Sequence, residues 1–407
     1  MNSSIPVDIN TLYTIFSYYK DVDYDNDYYI ELGKELSEYQ SFIKNKIDER
    51  LGWDIYYEVR TNCQKILDSI ESYYNGKVGD AILDISNIIN SKYLINDRYL
   101  KSQLQRSIAG ISINDFIKKN YDANNCHRRE RHFFKARTLE SPYSYLAQDK
   151  MFHIPFNKRE LIANQRYSIN GLPCLYLGST ALVCWEELDR PNFENFYVSY
   201  FAVSDSASVT ILDLSYGYFE IDAILNCIIS NQEMCFKSDE ALLKEMLIIW
   251  PLVAASRYTV KSKNRTFKSE YIIPQLIMQS ILKLNINGVS YISTRIPRNI
   301  IDEYKERFEP KILYTNYAFP AIKDEDDSYF SKTLRSLFKM SDVFNLGSFR
   351  HLNSQQKHSR IHIKYDDFFS PMNLFGIQKY HNSIFNEFED KLCDMRKSNI
   401  EDSYSNP

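Results

Sequence analysis

From about residue 130 to residue 300 the chain alternates short apolar runs with helical stretches, and this alternation limits the fold more than any other feature. "FFKART", "CLYLGS", "FYVSYFAV", "SVTILDL" and "GVSYIST" have the composition of strands. Between them, "TALVCWEELDR", "DEALLKEMLIIWPLVAAS" and "IPQLIMQSILKLN" carry apolar residues at helical steps. No G-x-G-x-x-G follows a strand and no Walker loop occurs, so Rossmann and P-loop sites are excluded. The expected class is α+β.

The flanks differ. Residues 1–125 are expected to form an all-helical N-terminal domain, serving as scaffold or interaction module. "GDAILDISNIINSKYL" places Ile82, Ile85 and Ile89 on one face, and Asn75-Gly76 marks a helix stop. No histidine precedes His127, which argues against a helical ribonuclease built on an Arg–His pair. "DANNCHRRERHFF" then turns polar and basic; Arg128, Arg129 and Arg131 suit a solvated linker, and the boundary is set there. A second domain is expected over 126–310, followed by a C-terminal extension over 311–407 whose pattern specifies no structure. His351, His358 and His362 in that extension suit a surface better than a metal site.

Composition narrows the function classes. A net charge of −4 supplies no general basic field, which argues against nucleic acid and anionic membrane as partners. The 7 cysteines form no CxxC, so neither zinc nor a disulfide framework is expected, and a reducing cytoplasm fits. With neither a secretory leader nor a long apolar run, a soluble cytoplasmic protein without a membrane span is expected.

The segment "RYSINGLPCLYLGSTALVCWEEL", Arg166 to Leu188, reads as a strand feeding a helix. Leu172 to Gly178 has the apolar character of a strand buried on both faces. Ser179 and Thr180 can cap the helix, Asp189-Arg190-Pro191 can end it, and its first N–H groups would face an anion. On a helical wheel Ala181, Cys184, Trp185 and Leu188 share one side; Glu187 borders it and Glu186 points further round.

Arg166, Tyr176 and Glu187 in this order and at these intervals resemble the RES-domain family, whose members include bacterial toxins that destroy NAD. In that family an Arg in a "GRW" stretch, a Tyr in a "vYtA" strand and a Glu in the next helix match "QRYS", "LYLG" and "CWEEL" here. "FHIPFNKRELIANQRYSINGLPCLYLGS" is similar to a longer subfamily with an N-terminal helical extension. Arg137 in "FFKAR" sits where members begin with an Arg-bearing strand, and "SEYIIPQLIMQSI" with "NGVSYISTR" looks like their closing half. The likeness covers roughly residues 130–300. Gln165 stands where the family has Gly, and Pro274-Gln275 replaces its "PS" pair; Ser256 and Ser293 are nearby hydroxyls.

The resemblance implies an ADP-ribosyltransferase-like RES domain that takes NAD as substrate, without metal, and cleaves it at the nicotinamide–ribose bond. Glu187, Arg166 and Tyr176 would be catalytic; Arg137, Arg166, Tyr176, Ser179 and Gln275 would bind NAD. A guanidinium suits the diphosphate, a phenol ring the cationic nicotinamide, and a carboxylate the oxocarbenium-like ribose. Water as acceptor gives a glycohydrolase, phosphate gives phosphorolysis, and a protein side chain gives an ADP-ribosyltransferase. Family behaviour implies a toxin–antitoxin or phage-defence setting, with an antitoxin or regulatory protein as partner; homo-oligomerisation stays open. A non-catalytic protein- or nucleic-acid-binding module is the alternative from another class. His153 is expected to be structural, Glu270 a strand-edge residue, and Ser256-Arg257 a helix C-terminus.

Overall fold

The computed structural model describes residues 9–23, 25–90, 101–103, 132–204, 207–229, 237–262, 265–297, 310–323, 329–356, 380 and 383–392. Arg128, Arg129, Arg131, His358 and His362 lie outside them. The chain is a mixture of helix and sheet, as its alternation predicts. Its strands are β1 (Lys20–Val22), β2 (Lys101–Gln103), β3 (His132–Thr138), β4 (Cys174–Gly178), β5 (Phe196–Val203), β6 (Thr210–Leu214), β7 (Tyr258–Val260), β8 (Gly288–Ile292), β9 (Thr315–Pro320), β10 (Phe338–Met340) and β11 (Phe344–Asn345).

The chain divides into two units, each drawn from three segments of the sequence. One comprises Met1–Asn124, Ile162–Leu172 and Val209–Thr294; the other comprises Asn125–Leu161, Pro173–Ser208 and Arg295–Pro407. The first division falls between Asn124 and Asn125, and residues 126–310 contribute to both units.

In the first unit the N-terminal helices form where expected, over Asp25–Phe42, Tyr56–Tyr74 and Val78–Ile89. Gly76, at φ +75°, follows the second of them, a conformation open to glycine without a Cβ clash. Ile82, Ile85 and Ile89 are buried, as their spacing predicts. The segment is nevertheless not all-helical. β1 pairs in parallel with β7, and β2 lies antiparallel to β6, which runs parallel to β8.

These N-terminal helices also complete the helix Lys237–Ser256, which contains Pro251. A proline has no N–H for the carbonyl four residues earlier, here Leu247. The Tyr39 hydroxyl donates to that oxygen at 2.5 Å, and Asn62 Nδ2 donates to the next carbonyl, Ile248, at 3.0 Å. Tyr28 donates to the Ala255 carbonyl at 3.0 Å near the helix end. Buried Arg257 is ion-paired with Glu35, and the Tyr258 hydroxyl donates to the same carboxylate at 2.6 Å. Orphaned carbonyls and a buried cation thus find partners in residues some two hundred positions away.

The second unit is built on an antiparallel sheet ordered β10-β5-β3-β4-β9, with β11 also on β5. All eight residues of β5 are buried, so its continuous apolar run is covered on both faces. β4 behaves otherwise: Leu175 and Leu177 are buried, whereas Cys174 and Tyr176 are half-buried. The expectation that β4 is buried on both faces is corrected; one face stays partly open. β9, beyond the expected boundary at 310, pairs with β4 from Cys174↔Pro320 to Gly178↔Asn316. His153 is a structural residue here, its Nε2 accepting from the Ser331 N–H at 2.9 Å and Nδ1 facing the Ile154 carbonyl at 2.7 Å. Among the described residues no helix is long and apolar enough to cross a membrane.

Candidate functional site

Thr180 caps the helix Ala181–Glu187: its Oγ1 accepts from the Val183 N–H at 3.0 Å and donates to the Leu313 carbonyl at 2.7 Å. Ser179 instead joins the start of β9. Its N–H donates to the Thr315 carbonyl at 2.8 Å, and its Oγ accepts from the Thr315 N–H at 3.2 Å. The anion expected at the helix start is supplied by the protein. Glu389 Oε1 accepts from the Ala181 N–H at 2.6 Å and from the Tyr380 hydroxyl at 2.5 Å.

The helix is buried from Ala181 to Glu186, and only Glu187 of its residues is exposed. A wheel drawn for one apolar face therefore misplaces Glu186. Gly178 admits the helix on the sheet side, since a Cβ there would lie 2.5 Å from Val183 and 2.8 Å from Cys184. On another side Trp185 meets Phe193 and Phe385, the latter from the helix over residues 384–392. Glu186 survives burial by pairing with Arg190 Nε at 2.7 Å; burial raises its pKa and the Arg190 contact opposes the rise. Arg190 reaches back because Asp189 and Arg190 both take left-handed backbone, at φ +60° and +57°.

Glu187 Oε1 accepts from Asn316 Nδ2 at 2.5 Å. Asn316 is buried on β9, opposite Gly178. Alternation along β4 puts Tyr176 on the face of Gly178, and Asn316 shares that face. Tyr176, Asn316 and Glu187 therefore gather on the helix-bearing side of the sheet.

Arg137 does not join them. Phe134 pairs with Gly178, so Arg137, three residues further along β3, projects from the opposite face. Its Nε is buried without a hydrogen-bond partner, and burial lowers its pKa while Asp149 acts against this. Lys135 lies between these groups: its Nζ donates to the Tyr176 carbonyl at 3.4 Å, and burial, with Arg137 adding, lowers its pKa to about 8. Two thiols, half-buried Cys174 and buried Cys184, flank the site, and desolvation pushes each up to about 12.

Arg166 and Gln275 belong to the first unit. Arg166 Nη1 donates to the Ser256 carbonyl at 3.0 Å, where the negative end of the helix Lys237–Ser256 favours a cation, and to the Glu270 carbonyl at 3.4 Å. Its guanidinium lies 4.9 Å from the Tyr271 ring. Among the described residues Nε and Nη2 have no hydrogen-bond partner. Gln275 Nε2 donates to Asn164 Oδ1 at 2.5 Å and to the Gln165 carbonyl at 3.1 Å, bracing the backbone that carries Arg166. Glu270 sits in a short turn, Ser269–Tyr271, rather than at a strand edge, and is paired with Arg265. Ser256 ends its helix, as expected.

Asn316 and Glu389 are the partners of this helix that sequence reasoning missed. Both lie outside the expected catalytic domain, and the only available hint was the strand-like run "TNYAFP".

No family model matches the chain. It is 32% identical over 317 residues to a protein of Bacillus subtilis (strain 168) named "Putative toxin YopC". The match covers 77% of this chain, which spans 62% of that relative's length. Among solved structures, a chain from "Crystal structure of the M.tuberculosis MbcT-MbcA toxin-antitoxin complex" aligns with 56% of this chain and 96% of its own. Its identity of 11% and TM-score of 0.25 carry no argument about fold or function.

Proposed function

We propose that the chain cleaves NAD at the nicotinamide–ribose bond, and that it acts as a toxin restrained by a partner protein. The observation that supports the chemistry best is the Glu187 carboxylate, exposed at a helix end yet held by the buried Asn316 amide on the Tyr176 side of the sheet. The toxin reading draws on the resemblance to RES-domain proteins and on the printed name of the Bacillus subtilis relative.

The bond between the nicotinamide nitrogen and ribose carbon breaks with its electron pair leaving on nicotinamide, which becomes neutral. Positive charge then gathers on the ribose. A carboxylate fixed beside that charge stabilises it by ~3–4 kcal/mol in such reactions. Asn316 engages one oxygen of Glu187 and limits the rotamers of the carboxylate. Tyr176 offers a half-open ring to the cationic nicotinamide, worth ~0.5–2 kcal/mol. Arg166 keeps the diphosphate-binding role that the resemblance assigns, using the Nε–Nη2 edge for a bidentate grip. Gln275 braces the Arg166 segment, while Ser179 and Arg137 are left out of the substrate set.

Nicotinamide release from NAD by the purified wild type and Glu187→Gln, with and without phosphate, tests the reading. Release by wild type alone supports it, and phosphate dependence separates phosphorolysis from hydrolysis. Label from NAD appearing on a macromolecule would make the chain an ADP-ribosyltransferase. No release and no transfer by folded wild type would overturn the proposal.

A further inference from the structure

In the first unit the loop from Arg265 to Tyr271 is stapled beneath an outward-facing aromatic ring. Arg265 grips both oxygens of Glu270, at 3.2 and 2.7 Å, and its Nε donates to the Ser262 carbonyl at 2.8 Å. The paired side chains are only 12% and 4% exposed. Between them in sequence, Phe267 is 48% exposed, and its ring lies 6.3 Å from that of Tyr74, itself 51% exposed. Ser269 hydrogen-bonds the Tyr74 side chain, tying the last turn of the helix Tyr56–Tyr74 to the same loop. A buried ion pair thus holds in place two rings that remain half in water.

Two cations lie on a third ring of the same loop, that of Tyr271. Lys268 Nζ lies 4.8 Å from the Tyr271 ring, and the Arg166 guanidinium lies on that ring at 4.9 Å. Arg265 is neutralised by Glu270, so Lys268 and Arg166 carry the local positive charge. Exposed rings beside cations recognise nucleotides generally: the base stacks and the phosphates meet the charges.

The geometry points to an aromatic shelf, Tyr74 with Phe267, that stacks the base of a nucleotide whose phosphates meet Lys268 and Arg166. The shelf is built within the first unit alone and stands apart from the proposed cleavage. It also gives the N-terminal helices a direct part in binding, through Tyr74.

ADP, which has no nicotinamide bond to break, is the probe. Calorimetric titration of the full chain is expected to show ADP binding that Phe267→Ala and Tyr74→Leu each weaken about tenfold. Tyr57→Ala, which removes a ring that is 68% exposed on the same helix, should leave it unchanged. Pyrophosphate, lacking a base, should bind wild type and Phe267→Ala equally. Thermal melts establish that each variant is folded, and Phe267→Leu provides a second test if one variant is not. Equal ADP affinity in wild type and Phe267→Ala overturns the shelf, as does an equal loss of pyrophosphate binding. Single-stranded RNA bound far more tightly than ADP would make the surface a nucleic-acid site and also overturn it. ADP binding that depends on Phe267, without any NAD cleavage, sinks the proposed reaction and leaves the shelf standing. NAD cleavage by a chain whose ADP binding is unchanged in Phe267→Ala does the reverse.

Discussion

The buried Asn316 amide donates to the Glu187 carboxylate at 2.5 Å, joining the second residue of β9 to the acid most central to the proposed chemistry. Because Asn316 lies on β9 and Glu187 at a helix end, the contact exists only once β4 and β9 are in register. If Asn316 orients the acid, Asn316→Ala should lower kcat for nicotinamide release about tenfold with little change in KM. Glu187→Gln should lower it by about 10²–10³. Equal kinetics for Asn316→Ala and wild type would remove the orienting role.

Glu186 makes a contrasting prediction. It is 4% exposed and paired with Arg190, whose side chain is 40% exposed, so its removal unbalances a buried site rather than a reacting one. Glu186→Ala should lower the Tm by a few degrees, while any protein that remains folded keeps its kcat. A large kcat loss without a Tm shift would show that the two neighbouring acids have been assigned the wrong way round.

The Leu247 carbonyl, deprived of its helical donor by Pro251, depends on Tyr39. Tyr39→Phe should destabilise the fold by ~1–3 kcal/mol, the usual range for leaving a buried acceptor unmet. Pro251→Ala restores a helical N–H, so the Tyr39→Phe penalty should shrink in that background. Denaturant unfolding of the double-mutant cycle reads the coupling directly, and additive effects would dissociate the two residues.

His153 makes stability pH-dependent. Burial is the main cause that pushes its pKa down to about 4 from 6.5, with Lys135 and Arg335 adding to it. Between those values the unfolded chain binds the proton and the native chain does not, so stability rises with pH across the window. The contribution is complete above about pH 6.5, falls away toward pH 4, and is on the order of 3 kcal/mol. Melts of wild type and His153→Gln over pH 4–7 should show the slope reduced in the variant. Identical slopes would show that other groups carry the dependence.

Local patterns were legible to the degree that local physics governs them. "FYVSYFAV" is β5, "TALVCWEELDR" contains the helix Ala181–Glu187, and Asn75-Gly76 ends a helix, because apolar period, capping hydroxyls and glycine conformation act within a few residues. The same locality explains the errors. Glu186 was placed toward solvent because a wheel cannot show that Phe385 and the segment Pro310–Tyr314 close over the helix. The resemblance groups Ser179 and Arg137 with Tyr176, whereas Ser179 bonds to Thr315 at the start of β9 and strand register puts Arg137 on the opposite face.

By itself the sequence determined the strands and helices of its central stretch, the strand-to-helix turn at Thr180 and the presence of an acid at the end of that helix. Tertiary structure alone decided which acid is buried, that Glu389 fills the helix start and that Asn316 holds Glu187. Those outcomes depend on hydrogen bonds between residues more than a hundred positions apart. Their partners are selected by sheet register and packing, and neither leaves a periodic trace in a single chain.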